Sequence, residues 1–171
     1  MFLSKLPCIM NRIASLFAAA AVMVFGGVAL ASTTTSTFQT QITIAASCTI
    51  VSASTLDFGT QGVLTADVDQ TSTVQVQCTN TTPYNIGLDA GTGAGATVAT
   101  RNMTSGAATI NYSLYTNSAR TTVWGNTVGT DTVSATGNGA AQSYTVYGRV
   151  PTQSTPAPAT YTDTIAVTVT F

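Results

Sequence analysis

The chain has 171 residues, with five Lys or Arg, six Asp, no Glu and no histidine, for a formal charge of −1. No polybasic run exists, which argues against a nucleic-acid or anionic-membrane partner. The missing histidine removes the usual general base of a serine or cysteine nucleophile and the usual companion of cysteine in a zinc site.

Residues 1–31 have the layout of a secretory signal peptide. Lys5 and Arg12 precede an apolar stretch from Ile13 to Leu30, and Ala29-Leu30-Ala31 offers a small-x-small cleavage site before the polar run Ser32–Thr37. An uncleaved anchor is the alternative, because the stretch is about long enough to span a bilayer. Cleavage after Ala31 leaves 140 residues with three Arg, six Asp and 35 Thr, and no stable membrane insertion. Threonine is β-branched, favours strands and tolerates water on an outer sheet face. Cys8 leaves with the signal, so Cys48 and Cys78 form an even pair in an exported chain, which reads as a disulfide. The loop between them has about 30 residues, worth roughly 3.5 kcal/mol in the chain-entropy account.

The segment 32–45 begins polar and then alternates, with Phe38, Ile42 and Ile44 on one face. The first strand is expected from about Phe38 to Ile50, including Cys48. Leu56–Gly59 is expected as a short strand ending in a turn. In Thr73–Cys78, Val74, Val76 and Cys78 form the inward face, and Asn80–Pro83 is a turn. Tyr84–Leu88 alternates, and Asp89–Gly95 is a flexible loop. Arg101–Met103 is a short strand before the Ser105-Gly106 turn. Ile110, Tyr112 and Leu114 share one side of the next strand. Asn126–Ala140 reads as a long connection or hairpin, and Ser143–Val150 as a strong strand. Pro151–Pro158 breaks the chain before a final strand, Tyr161–Phe171, with Ile165, Val167, Val169 and Phe171 on one face. About seven strands with no long helical period give an all-β domain over 46–171, a two-sheet sandwich.

No constellation carries catalysis. Gly91-x-Gly93-x-Gly95 lacks the spacing and following helix of a dinucleotide loop, and reads as a hairpin loop. Asp67 and Asp69 lack enough neighbouring oxygens for calcium and read as solvated turn residues. Tyr112, Tyr115 and Trp124 could line a binding patch, but the preferred reading has them filling a wide sandwich core. Arg149, in an otherwise apolar strand, is expected to pair with an Asp or cover an edge. The chain is read as a non-enzyme with no cofactor and no metal. A core face running to Phe171, with an apolar segment at the other end of the domain, suggests subunits that complete one another.

The motifs together resemble the spore coat protein U domain. They are Cys48, Leu56-x-Phe58-Gly59, Val76-x-Cys78, Tyr112-x-Leu114-Tyr115, Arg120-Thr-x-x-Trp124-Gly125, Tyr147-Gly-Arg-Val-Pro151 and the closing pattern from Ala159 through Tyr161, Asp163 and Val167 to Phe171. The resemblance covers about residues 38–171 and extends to pilin subunits of archaic, Csu-type chaperone–usher systems. It implies an incomplete immunoglobulin-like sandwich completed by donor-strand complementation. Phe38, Ile42 and Ile44 would be the donor residues, and Ile165, Val167, Val169 and Phe171 the edge of the chaperone and acceptor groove. The implied partners are a periplasmic chaperone, an outer-membrane usher and neighbouring pilins. The implied function is that of a surface pilus subunit serving attachment and biofilm formation. An adhesive tip subunit and a secreted coat or matrix protein are the alternatives. Thr40 departs from the pattern, standing where a bulkier apolar donor residue is expected.

Overall fold

The computed structural model describes residues 30–171. The signal-peptide reading of residues 1–31, Cys8 included, therefore falls almost wholly outside the described residues. The chain divides into two units, Met1–Gln41 and Ile42–Phe171, and the fold that follows is that of the second. No described helix is long and apolar enough to cross a membrane.

Eight strands are present among the described residues: β1 (Cys48–Ala53), β2 (Val68–Cys78), β3 (Pro83–Leu88), β4 (Arg101–Ser105), β5 (Ala108–Tyr115), β6 (Val133–Thr136), β7 (Ala141–Val150) and β8 (Val167–Thr170). They form a five-stranded sheet in the order β1-β2-β7-β5-β4 and a three-stranded sheet in the order β6-β3-β8. All named pairs are antiparallel. The domain is an all-β, immunoglobulin-like sandwich.

The period-2 pattern explains which residues meet between the sheets. Val74, Val76 and Cys78 of β2, Tyr84, Ile86 and Leu88 of β3, Tyr112 and Leu114 of β5, and Val146 and Val150 of β7 form one buried cluster. Fully burying each aliphatic side chain contributes about 1.5–3 kcal/mol. Trp124 enters the same cluster from the β5–β6 connection. Its indole N–H donates to the Ile86 carbonyl at 2.8 Å, and its backbone N–H to the Leu114 carbonyl at 2.9 Å, so it ties both sheets together. Trp124 and Tyr112 are core residues, while Tyr115 is half-buried.

Cys48 and Cys78 are disulfide-bonded and lie opposite each other in the β1–β2 ladder. The bond holds an edge strand that buries little: only Cys48 of β1 is half-buried, and the other five residues are exposed.

Several boundaries differ from the sequence reading. The first strand starts at Cys48 rather than Phe38, and residues 30–47 carry no strand and are exposed. Leu56–Gly59 is not a strand. The Asp57 carboxylate accepts the Gly59 N–H at 2.8 Å and Gly59 sits at φ 71°, which curls the chain into a turn. The stretch 126–140, read as a connection or hairpin, contains β6, and eight strands are present among the described residues where about seven were expected. The final strand is shorter than Tyr161–Phe171, with ladder pairing only over Val167–Thr170. Asp67 and Asp69 are not free turn residues. Asp69 lies in β2 and takes two bonds from Arg149, both 2.8 Å, and a third contact from Arg120 at 3.2 Å, while Asp67 meets Arg149 at 3.1 Å. Arg149 has the carboxylate partners expected of it.

Candidate functional site

β8 is an edge strand. β3 pairs with one side of it, and no described strand pairs with the other. β1 is the edge of the opposite sheet. Two edge strands leave rows of backbone donors and acceptors open along one side of the sandwich, a surface suited to strand addition.

A groove runs along this side as two adjoining cavities of about 550 and 740 Å³. The smaller reaches Val74 of β2, Val146 of β7, Leu114 of β5 and Leu88 of β3, so its floor is the core itself. One wall is the Ala53–Phe58 segment that follows β1, and the other is Thr160–Ile165 with Val167. The larger continues past Gly59–Leu64 and the Thr155–Ala159 stretch. Phe58 packs edge-on against Tyr112, ring centres 6.2 Å apart, and anchors the first wall to the floor. Gly148 of β7 makes that packing possible, because a Cβ there would run into Leu56.

The second wall is set by Asp163. Its carboxylate accepts the Thr92 N–H (2.8 Å) and hydroxyl (2.9 Å), the Tyr112 hydroxyl (2.7 Å) and the Thr164 N–H (2.8 Å). Burial pushes the Asp163 pKa up, but the bonds from Thr92, Tyr112 and Thr164 outweigh it and hold the carboxyl below its usual range. The Tyr112 phenol is pushed upward, first by burial and then by its bond to the Asp163 carboxylate. Gly91, at φ 79°, is required where the loop passes over this carboxylate, since a Cβ would collide with it. The flexible-loop glycine therefore packs on the wall of the groove. One residue earlier, Thr162 exchanges two backbone bonds with Thr104 of β4, at 2.9 and 3.1 Å. The segment thus leaves one sheet at Thr162, turns at Asp163 and joins the other sheet as β8.

Ile165 and Val167 line the smaller cavity and pack half-buried against the core, as does Val169. The Phe171 side chain is 60% exposed. Phe38, Ile42 and Ile44 are 87%, 83% and 73% exposed. Three large apolar side chains, each mostly in water, lie in a segment with no strand partner among the described residues.

Two features of the domain escaped the sequence reading. Asp163 appeared only as one member of a motif, although a single Asp in an alternating segment before a Thr-rich strand is a candidate for side-chain-to-backbone capping. Arg101, at the start of β4, is fully buried and donates only to carbonyls, those of Asp89, Val98, Leu88 and Trp124. Nothing in its local sequence signals burial.

The comparisons with known proteins agree with this geometry. The family model described as Spore Coat Protein U domain matches residues 34–168. Protein U of Myxococcus xanthus is 33% identical over 178 residues, covering 95% of this chain and 98% of that protein. Among solved structures, the CsuC–CsuE chaperone–tip adhesion subunit pre-assembly complex from archaic chaperone–usher Csu pili of Acinetobacter baumannii matches with a TM-score of 0.55 and 27% identity. That match covers 75% of this chain, which spans 40% of the length of the solved chain. A family match over most of the domain, a relative of nearly equal length and a shared sandwich leave one assignment: the chain belongs to the spore coat protein U domain family.

Proposed function

We propose that this chain is a structural subunit of a chaperone–usher pilus, exported through the periplasm and polymerised at the cell surface by donor-strand exchange. Phe38, Ile42 and Ile44 of one subunit enter the groove beside β8 of the next. Ile165, Val167, Val169 and Phe171 form the edge against which a periplasmic chaperone, and later the donor, is laid. An outer-membrane usher exchanges one for the other, and the fibre serves attachment and biofilm formation. Residues 1–31 are the cleaved export signal and 32–45 the donor segment.

The observation that carries this reading is the unpaired edge of β8 above a core-floored groove. Left open, such an edge is an aggregation hazard, so a chain built this way needs a partner strand. The exposed alternating segment at residues 38–44 has the side chains to be that strand in a second copy. Likeness to a chaperone–subunit pre-assembly complex supports a chaperone as the first occupant.

The test is Ile42→Asp, which places an unpaired charge in an apolar groove at a cost of several kcal/mol. Gln41→Asp, one residue along and on the outward face, is the control. We expect Ile42→Asp subunit to accumulate with its periplasmic chaperone but to give little surface fibre by immunoelectron microscopy, while Gln41→Asp gives normal fibre. Equal fibre from both variants would refute donor-strand polymerisation through this segment.

A further inference from the structure

The groove is not uniformly apolar. Its two cavities share a waist formed by Leu56, Asp57 and Phe58 on one wall and Thr160 and Tyr161 on the other, with Met103 beneath. Asp57 is exposed there. It gives one carboxylate oxygen to the Gly59 N–H at 2.8 Å, which leaves most of its acceptor capacity to water. Any strand laid across the waist strips some of that water. An apolar side chain opposite Asp57 would leave the carboxylate desolvated and unmatched, whereas a hydroxyl would donate to it.

The segment 38–44 carries one such hydroxyl on its apolar face. Phe38, Thr40, Ile42 and Ile44 point the same way, and Gln39, Gln41 and Thr43 point the other. In an extended chain the neighbours of Thr40 on that face lie about 7 Å to either side. Seating Thr40 at the waist therefore drops Phe38 into one cavity and Ile42, followed by Ile44, into the other. Unequal cavities of about 550 and 740 Å³ suit one ring on one side and two branched chains on the other. A shift by two residues puts Phe38 or Ile42 against the carboxylate. A shift by one turns the glutamines inward and the apolar face out.

We infer that the occupant of this groove is the 38–44 segment of a second copy of this chain, held in register by a hydrogen bond from the Thr40 hydroxyl to the Asp57 carboxylate. The inference rests on the donor-strand reading and adds to it the register and the residue pair that sets it. Thr40, out of place as a donor residue in an apolar groove, is the residue that matches the polar waist.

A double-mutant cycle on fibres of the full chain tests it, with the detergent dissociation midpoint as readout. Thr40→Val and Asp57→Leu should each lower the midpoint, with about tenfold more free subunit at a fixed temperature. The double variant should return close to wild type, because both sides of the waist are then apolar. Asp57→Asn, which keeps an acceptor for Gly59 and for the hydroxyl, should stay near wild type and guards against Asp57→Leu failing to fold. Additive losses in the double variant, or fibres made firmer by Thr40→Val alone, would overturn the pairing. If that happens while Ile42→Asp still abolishes fibre, the register is wrong and the donor reading stands. If Ile42→Asp is also silent, both fall.

Discussion

The Arg101 guanidinium is fully buried, and among the described residues it has no carboxylate within ion-pair distance. Burial lowers its pKa, opposed only in part by the more distant Tyr112, Asp89, Asp163 and Asp131. Arginine stays charged under this load because its unperturbed pKa is so high. Four carbonyls take up its donors: Asp89 at 2.7 Å, Val98 at 2.8 Å, Leu88 at 3.0 Å and Trp124 at 2.8 Å. These come from the end of β3, the loop before β4 and the β5–β6 connection, so one side chain ties a strand end to two irregular backbone stretches. Arg101→Met keeps the volume but leaves buried carbonyls unsatisfied, and should destabilise the domain by about 3–5 kcal/mol. Arg101→Lys keeps the charge and reaches fewer acceptors, so its loss should be smaller. Urea unfolding midpoints would check both; an Arg101→Met midpoint equal to wild type would mean that water replaces the side chain. The Asp69 cluster is different. It is bidentate but partly exposed, with Arg120 also lying over the Tyr147 ring at 5.8 Å, so its worth is nearer that of a surface network.

Strands with one buried face were legible from the sequence, and strands without one were not. Alternation in β2, β5 and β7 survives into the burial pattern of each. β6 is four residues, Val-Ser-Ala-Thr, and exists because β3 offers it an edge; its sequence alone carries too little signal. The stretch 161–166 shows the opposite failure. Its alternation is real, since every second residue is half-buried, but its backbone bonds go elsewhere. The Ala166 N–H donates to the Asp89 carboxylate at 2.9 Å and the Thr164 N–H to that of Asp163, so side chains compete with the ladder. The segment 38–44 alternates too, and has no strand partner among the described residues. The groove was thus foreseeable as an edge, but its polar waist was not, because Asp57 reads locally as part of a short strand rather than as the turn residue it is. β1 illustrates how an edge without buried side chains is kept. It has backbone pairs to β2, two backbone bonds from its flanks (Thr79 N–H, just past β2, to Ser47, and Ser54 N–H to Thr73 of β2, both 2.9 Å) and the disulfide. Reduction, or Cys48→Ser with Cys78→Ser, should lower stability by up to about 3.5 kcal/mol. Under reducing conditions, hydrogen exchange should rise first in Cys48–Ala53, before the β2–β7 ladder opens; uniform loss of protection across both would show that β1 is no separate unit.

At the scale of the whole domain, composition sets how stability responds to pH. Beyond residue 31 the chain has no His, Lys or Glu, so its acidic side chains are six Asp and its remaining titrating side chains are phenols. The pKa of Asp69 is held low chiefly by its bonds from Arg149, against the opposing effect of burial, with the charges of Arg120 and Arg149 adding to the depression. That of Asp163 is held low by its donors in spite of burial. A depressed carboxyl binds fewer protons folded than unfolded. Its contribution is therefore complete above the unfolded value of about 3.9 and is lost as pH falls through the lower folded value. Tyr84 shifts upward through burial and its 2.6 Å contact with the Tyr144 hydroxyl, and Tyr112 through burial and Asp163. A phenol raised in the fold stays protonated there while the unfolded chain ionises near pH 10, so stability falls again above that point. Between these limits nothing in the domain core titrates. The thermal midpoint should be flat from about pH 5.5 to 9, drop steeply below about pH 4 and decline above about pH 10. Asp163→Asn should shallow the acid limb, and Tyr84→Phe the alkaline one. A midpoint that moves by several degrees between pH 6 and 8 would contradict the assignment. It would point to a titrating group outside these six carboxylates and the phenols, with the free amino terminus the first place to look.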